Sequence, residues 1–455
     1  MTDWFGADDH VERAQELFRR GRWAEAEAEL RKALALSPDR GEWQFNLGLT
    51  LEAAGRDAEA VSCYQRAADL MPDQAEPLVA LGLVFNRVGQ HDEAIDTLRH
   101  AIALDPESDL AHAGLVDSLA CLDRHDEAET AFYLAQQDLE ESPRCLVAIA
   151  ESLMVRREWK RAGWCLREAI RLEPTLPRVR ARLAAVLAAT GRRERALQMY
   201  WRELMDDPGN VATLLDFGDL LLEMERLPEA SDKYRRVLEI EPANVEAHAR
   251  LGDLAMRGGR MDQAHVEFEL VAKLDPSFPG IRLRLAEALV QRGRIGEARR
   301  WLVAELDAVA ASDWAGDLMR LGDLLLSANE PERAAMVLDR AVRREKTASG
   351  WRKLALARFR SGDRAGGMAA SRQVLRIEPH CVAALHNLAL AWLELGSTRR
   401  AAACVRRGLR IDPQDEGLRR IRSRLWLAQA MGVLDRISGV TPATAVATAA
   451  DPSPR

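Results

Sequence analysis

The chain has 455 residues, of which 47% are hydrophobic and 30% are charged, so it can bury a large apolar core. No run of 18 apolar residues occurs, which predicts that no segment crosses a membrane. The segment Met1–His10 carries three Asp and has neither the basic nor the apolar region of a secretory signal. These features lead us to expect a soluble, cytoplasmic protein.

The net charge of −7 is unevenly spread along the chain. The segment Ala341–Arg436 contains 20 Lys and Arg against 8 Asp and Glu, a net charge of +12. The first 340 residues therefore carry −19. A basic end of this kind suits an acidic protein surface or nucleic acid, and the opposite charges of the two ends would also suit head-to-tail self-association.

A period of 34 residues organises the sequence, and a fixed period of this length indicates a repeat architecture. Prolines recur at intervals of 34, or of 68 where one copy is skipped: Pro38, Pro72, Pro106, Pro174, Pro208, Pro242 and Pro276. In a register that starts at Ala7, position 20 is Ala in eleven copies and Gly in the other. These residues are Ala26, Ala60, Ala94, Ala128, Ala162, Ala196, Ala230, Ala264, Ala298, Ala334, Gly367 and Ala401.

Each repeat is predicted to be two helices joined by a tight turn. Position 8 is small, as in Gly48 and Gly218, and position 24 is bulky, as in Tyr64 and Tyr234. A small residue facing a large one lets two helices cross closely. Position 15 holds residues that accept a left-handed backbone after a helix, namely Gly21, Gly55, Gly89, Gly191, Gly259, Gly293, Gly362, Gly396 and Asn329.

Several copies depart from this pattern. Glu140 stands where the closing proline is expected, and the prolines of copies nine and ten are also missing. Glu203 and Glu305 replace the usual small residue at position 27. We expect looser packing at these junctions.

After the repeats, from Leu418 onward, apolar residues recur at helical spacing while the Arg residues between them face away. This pattern predicts a helix that caps the last repeat. From Gly439 onward Thr, Ala and Pro dominate, which is typical of a disordered tail.

The segment Gly41–Gln74, with Leu47, Gly48, Tyr64 and Pro72 in their family places, closely resembles a tetratricopeptide repeat (TPR) of bacterial type. The resemblance covers about nine-tenths of the chain. It implies an all-α fold, an α-solenoid in the form of a right-handed superhelix of about twelve helix–turn–helix repeats with a C-terminal capping helix. The predicted organisation is an N-terminal extension (1–6), the solenoid (7–414, irregular near 140 and 305–347), the capping helix (415–438) and the tail (439–455).

The sequence contains no phosphate loop, dinucleotide fingerprint, HExxH zinc motif or GxSxG elbow. Its six Cys lack zinc-ribbon spacing. Cys63, Cys165 and Cys404 share one position of the repeat, which favours small apolar core residues. We therefore expect no enzymatic activity, no metal site and no cofactor.

The resemblance implies that the first helix of each repeat lines a concave groove, with position 9 pointing into it. Position 9 is acidic in most central copies and position 6 is often Arg, which predicts a charged groove for a polar or basic peptide. The candidate groove residues are Asp117, Glu151, Arg182, Asp219, Arg250, Asp253, Arg284, Glu287, Arg320 and Asp323. The alternative is that these residues only form ion pairs within single helices, such as Arg250–Asp253 and Arg284–Glu287.

These features predict a scaffold or adaptor that binds a protein segment in its concave groove. One alternative is an accessory subunit of a separately encoded enzyme, for example a glycosyltransferase. Another is that the Arg-rich C-terminal end binds nucleic acid or an acidic protein. Nucleic acid is disfavoured because Trp392 and Trp426 are the few aromatic residues there and the acidic bulk repels phosphate.

Overall fold

The computed structural model describes residues 3–139, 141–309 and 315–438, with side chains over 6–139, 141–306 and 315–427. The described residues are almost entirely helical, and they divide into two compact units, Met1–Ile240 and Glu241–Arg455. The helices of the first unit are α1 Asp3–Arg19, α2 Trp23–Leu36, α3 Gly41–Ala53, α4 Asp57–Leu70, α5 Ala75–Arg87, α6 His91–Leu104, α7 Asp109–Cys121, α8 His125–Asp138, α9 Pro143–Val155, α10 Trp159–Leu172, α11 Val179–Ala189, α12 Arg193–Asp206, α13 Val211–Glu223 and α14 Leu227–Ile240.

The second unit continues the same alternation of helices. Its helices are α15 Val245–Arg257, α16 Met261–Leu274, α17 Ile281–Gln291, α18 Ile295–Val309, α19 Ala315–Ser327, α20 Pro331–Arg344, α21 Ala348–Arg360, α22 Arg364–Ile377, α23 Val382–Glu394, α24 Thr398–Ile411 and α25 Glu416–Ser438. Over the residues that the structure describes, twelve helix pairs followed by one longer helix confirm the predicted all-α solenoid with a capping helix.

The turn inside every helix pair contains a residue with positive φ at position 15. Nine of these residues are the eight Gly and Asn329 that the sequence pattern predicted, so that prediction is confirmed. The other three are Asp123, Arg157 and Glu225, with φ of 58°, 61° and 59°. A residue with a Cβ is strained in this region, so the packing of the two helices holds the turn in this conformation even without Gly.

The two helices of a pair interlock where position 8 meets position 24. A Cβ added to Gly218 would lie 2.4 Å from the Tyr234 ring, and one added to Gly252 would lie 2.4 Å from the Phe268 ring. Both rings are fully buried. The predicted packing of a small residue against a large one is therefore confirmed, and it leaves no space for an added methyl group.

First helices of successive pairs contact each other within each unit. In the first unit these contacts join α5 to α7, α7 to α9 and α11 to α13, and in the second they join α15 to α17, α17 to α19 and α19 to α21. Second helices make no contact of comparable extent in the described part of the chain. Within each unit, the first helices therefore lie on the inner side of the stack, where positions 6 and 9 of neighbouring repeats come close together.

The helix α25 covers the end of the second unit. Leu418, Ile421 and Leu425 are buried against Ala401 and Val405, while the four intervening Arg are exposed, namely Arg419, Arg420, Arg422 and Arg424. This arrangement closes the apolar core at the last repeat, as terminal caps of repeat proteins do.

Three observations refine the sequence-based expectations. The first helix begins at Asp3, before the predicted start at residue 7. The junction between α12 and α13 is packed less closely than most, as expected, but the Glu203 side chain itself is buried and its carboxylate accepts hydrogen bonds from two backbone amides, of Arg178 (2.6 Å) and Arg180 (3.1 Å). Residue 140, residues 310–314 within the segment expected to be irregular, and the predicted tail, 439–455, lie outside the described residues.

Cavities flank α8, close to the junction where the closing proline is missing. One of about 270 Å³ is lined by Leu139, Cys145 and Trp164. Another of about 460 Å³ is lined by Leu115, Leu134 and other residues of α6, α7 and α8. Packing on both sides of this helix is incomplete.

Candidate functional site

A ladder of ion pairs joins the first helices of successive repeats. In each rung, the cation at position 6 of one repeat contacts the carboxylate at position 9 of the repeat before it. We define the charge ladder as the pairs Arg182–Glu151, Arg284–Asp253, Arg320–Glu287 and Lys353–Asp323. The Arg284 Nε to Asp253 Oδ1 distance is 3.0 Å, and the Arg320 Nε to Glu287 Oε2 distance is 3.1 Å.

The ladder corrects one of the ion pairs expected within single helices, Arg284–Glu287. Arg284 donates to Asp253 of the preceding repeat and makes no described contact with Glu287, which instead accepts from Arg320. The reason is that stacked first helices bring positions 6 and 9 of adjacent repeats together, and a guanidinium spans the space between the two backbones. Most of the predicted acidic row is thus already neutralised by the protein's own cations.

Two further predicted groove residues have local partners. The carboxylate of Asp219 accepts a hydrogen bond of 2.7 Å from the hydroxyl of Tyr234, the ring that fills the space beside Gly218. The guanidinium of Arg250 lies 3.3 Å from the carboxylate of Glu246, one turn earlier in α15. Both side chains are held in place by the fold.

Asp117 differs from the rest of the row. Position 6 of the next repeat is Ala148, so the cation that would complete its rung is missing. Among the described residues, no cation lies within ion-pair distance of Asp117, and no hydrogen bond to its carboxylate is seen. This rung of the ladder lacks its cation.

The half-buried Asp117 lies in a cavity of about 280 Å³ on the first-helix face of the first unit. The cavity is formed by α5, α7, α9 and the start of α11, and its apolar wall includes Leu83, Ala113 and Val147. The Glu151–Arg182 rung forms one side of it. The site therefore combines an apolar wall, one neutralised ion pair and one carboxylate without a partner.

Two effects raise the pKa of Asp117, namely its burial and, second, the negative charge of nearby Glu151. Arg182 and His91 lower the pKa, but less. The ionised form of the Asp117 carboxylate therefore destabilises the folded protein. An additional cation placed in this cavity would relieve that cost.

A polar network fixes α7 below this carboxylate. Ser118 donates to the side-chain oxygen of Asn86 (2.8 Å), and Asn86 donates to the carbonyl of Gly114 (3.1 Å). His91 contacts the same Asn86 oxygen at 3.2 Å. These bonds join α5, α6 and α7, so the backbone that carries Asp117 is rigidly placed.

The described residues offer little that is typical of catalysis or metal binding. Burial raises the pKa of the Cys145 and Cys165 thiols to about 11 each, so neither is a ready nucleophile. In the described part of the chain, no group of three or more His, Cys, Asp or Glu could hold a metal ion. None of the described helices has both the length and the apolar character needed to span a bilayer.

The Arg-rich C-terminal end presents free cations on α24 and α25. Arg400 lies over the Trp392 ring at 4.6 Å from its centroid, and Arg407 donates to the carbonyl of Pro379 at 2.8 Å. Five other Arg side chains are exposed and form no ion pair with any described residue, namely Arg399, Arg406, Arg410, Arg422 and Arg424. These five guanidinium groups are available to an anionic partner.

Comparison with protein families identifies the repeat. A model described as the tetratricopeptide repeat matches residues 11–75, 79–143, 215–277 and 352–416, more than half of the chain. Further models with the same description match residues 44–107 and 259–315. The chain belongs to the tetratricopeptide repeat family. Membership of this family indicates, in general terms, a scaffold for protein interactions.

Solved structures of other proteins are similar to this TPR chain at low sequence identity. A chain of the APC/C hetero-tetramer Cut9–Hcn1 shares 17% identity, with 92% of this chain and 96% of that chain covered and a TM-score of 0.39. Yeast Tom70 shares 14% identity, with 97% and 100% covered and a TM-score of 0.38. A TPR protein from Parabacteroides merdae shares 17% identity, with 55% and 98% covered and a TM-score of 0.41. No curated protein matches the sequence significantly.

Proposed function

We propose that this TPR protein is a non-enzymatic scaffold that binds a segment of a partner protein on the first-helix face of its repeats. The observation that carries this proposal is the Asp117 cavity, because it is a concave, largely apolar site with one polar group that lacks a partner. Sites with these properties are typical of specific recognition. The Arg182–Glu151 pair beside it presents fixed charges of both signs that can orient a polar segment.

Affinity capture tests this proposal. The full chain is immobilised and exposed to extract from its native cell, and bound proteins are eluted with increasing salt and identified by mass spectrometry. The proposal predicts a reproducible protein partner that chemical crosslinking joins to the first helices. A partner crosslinked only to second helices or only to α24 and α25 would contradict it, as would the absence of any reproducible partner.

The free Arg residues on α24 and α25 favour a second docking surface, for an acidic protein. Exposed cations without partners increase the association rate with a negatively charged surface, and salt screens this effect. Reversing three charges together, Arg399→Glu, Arg406→Glu and Arg410→Glu, should slow association with such a partner at low salt. If association at low salt is unchanged in the triple variant, this second surface is ruled out.

The alternative of an accessory subunit for a separately encoded enzyme uses the same first-helix face. The two cases differ in the identity of the captured partner, which would be an enzyme in one and a structural or regulatory protein in the other. The cytoplasmic location predicted from the sequence is part of the proposal, and fractionation of native cells tests it.

A further inference from the structure

We propose that the Asp117 cavity binds the side chain of a Lys or Arg from the partner segment, which supplies the cation that the charge ladder lacks at this rung. This inference rests on the proposed function and deepens it, because it names the group that the partner must present. It differs from the general expectation of a basic ligand along the whole acidic row, since the other rungs are already paired.

The first argument is the contrast between rungs. At four rungs the position-9 carboxylate accepts from an Arg or Lys at position 6 of the next repeat. At the Asp117 rung the residue in that place is Ala148, which lines the same cavity. The methyl group of Ala148 leaves open the space that a long cationic side chain occupies at the other rungs. A ligand cation entering there meets the geometry that the fold uses elsewhere.

The second argument is the shape and chemistry of the cavity. Its volume of about 280 Å³ lies near the lower limit of roughly 300–1,000 Å³ that is usual for ligand pockets, so it suits one side chain. Leu83, Ala113 and Val147 offer an apolar wall to an aliphatic stem, and Asp117 offers an acceptor to the charged head. Lys and Arg are the side chains that combine such a stem with a cationic head.

The third argument concerns the charges around the site. Arg182 is engaged by Glu151, and the nearby Arg144 contacts Asp109 at 3.0 Å. His91 is engaged with Asn86. With both guanidinium groups and the His91 ring occupied by other groups, Asp117 keeps its negative charge available to a ligand. A carboxylate in a half-buried site gains more from a charge-assisted hydrogen bond than an exposed one does.

A randomised library of 12-residue peptides displayed on phage provides the probe. The library is selected on the full chain, and the peptides recovered are synthesised and measured by fluorescence anisotropy. The inference predicts that they share a Lys or Arg whose replacement by the uncharged residue norleucine weakens binding roughly 10- to 100-fold. In the Asp117→Asn variant, the same replacement should have little effect.

Ala148→Arg is the decisive variant, because it adds the missing cation within the chain. The new guanidinium should pair with Asp117 and exclude the peptide, so binding falls at least as much as in Asp117→Asn. Asp117→Glu should retain binding, since Glu serves as the acceptor at the Glu151 and Glu287 rungs. Ser62→Arg adds the same charge to the exposed surface of α4 and should leave binding unchanged. Thermal unfolding of each variant verifies that the fold is intact.

The outcomes separate the two proposals. Peptides that bind the first-helix face without a common basic residue, and that tolerate Asp117→Asn and Ala148→Arg, would overturn the inference and leave the scaffold function standing. Failure of the library to yield any peptide that binds the first-helix face would count against both.

Discussion

At the scale of single residues, positions 8 and 15 of the repeat determine how closely the two helices of a pair cross and how the chain turns between them. The sequence predicts both because they are requirements of the backbone: one needs space for a ring and the other needs a left-handed turn. Twelve copies make such requirements visible even though Asp123, Arg157 and Glu225 depart from Gly. The special character of Asp117 could not be predicted in this way, because it depends on a residue in the following repeat.

Gly218→Ala should destabilise the protein by about 1–3 kcal/mol, because the added methyl group would lie 2.4 Å from the buried Tyr234 ring. Urea unfolding measures the change. The matched control is Gly296→Ala, at a helical Gly whose added Cβ has nothing within 4 Å. That control should be neutral or stabilising by up to about 1 kcal/mol. Equal stability of the two variants would show that the helices do not cross closely at Gly218.

Asp117→Asn should raise the melting temperature at neutral pH. Burial and Glu151 raise the pKa of Asp117 in the folded state, so its favourable contribution is present at low pH and is lost as the pH rises through that pKa. The difference in melting temperature between the variant and the wild type should therefore shift in favour of the variant as the pH rises from acid to neutral. Thermal unfolding across this range measures the gain.

The control for this prediction is Asp253→Asn, which removes a paired carboxylate and leaves Arg284 without its ladder partner. It should lower the melting temperature at neutral pH. A loss of stability in Asp117→Asn like that in Asp253→Asn would mean that Asp117 has a counter-ion in the folded protein.

At the scale of helices, the sequence defines the pairs well and the contacts between pairs poorly. The same pattern of charges fits two kinds of ion pair. One joins residues three apart in a single helix, and the other joins residues of neighbouring repeats, as in Arg284–Asp253, which are 31 residues apart. Only the stacking of first helices decides between them. A cation that recurs between 30 and 33 residues after an acid is the signal that could have revealed the charge ladder.

Glu203 is a second position whose contacts with another helix could not be predicted from the sequence. The family pattern places a small residue here, and the sequence alone gives no reason for a carboxylate. In the structure it accepts from the backbone amides of Arg178 and Arg180 at the start of α11, 25 and 23 residues earlier. The carboxylate thus satisfies amides that the helix itself leaves without partners.

Glu203→Ala should therefore cost about 1–3 kcal/mol, although it restores the residue type that the family prefers, because it leaves two partly buried amides unsatisfied. Urea unfolding measures the loss, and hydrogen exchange should show faster exchange at the start of α11. A gain in stability would mean that the repeat pattern governs this position and the amide contacts do not.

At the scale of the whole molecule, the repeats of each unit form a first-helix face of which only part is open to a partner. The charge ladder neutralises much of the predicted acidic row, so net charge alone is a poor guide to where ligands bind. The sequence predicted the binding face from its resemblance to the TPR family, and the structure narrows the candidate site to one cavity of the first unit. The partner's identity depends on chemistry outside this chain.

Site-specific photo-crosslinking tests most directly whether the first-helix face binds the partner. A photoreactive phenylalanine analogue is placed singly at Val147 on the cavity wall and at the exposed Trp164 on the second helix of the same repeat. Each protein is irradiated in native-cell extract. We predict that a specific protein is crosslinked from position 147 and is lost in the Ala148→Arg background, with little or none from position 164. A partner crosslinked from position 164 and not from position 147 would contradict binding at the first-helix face.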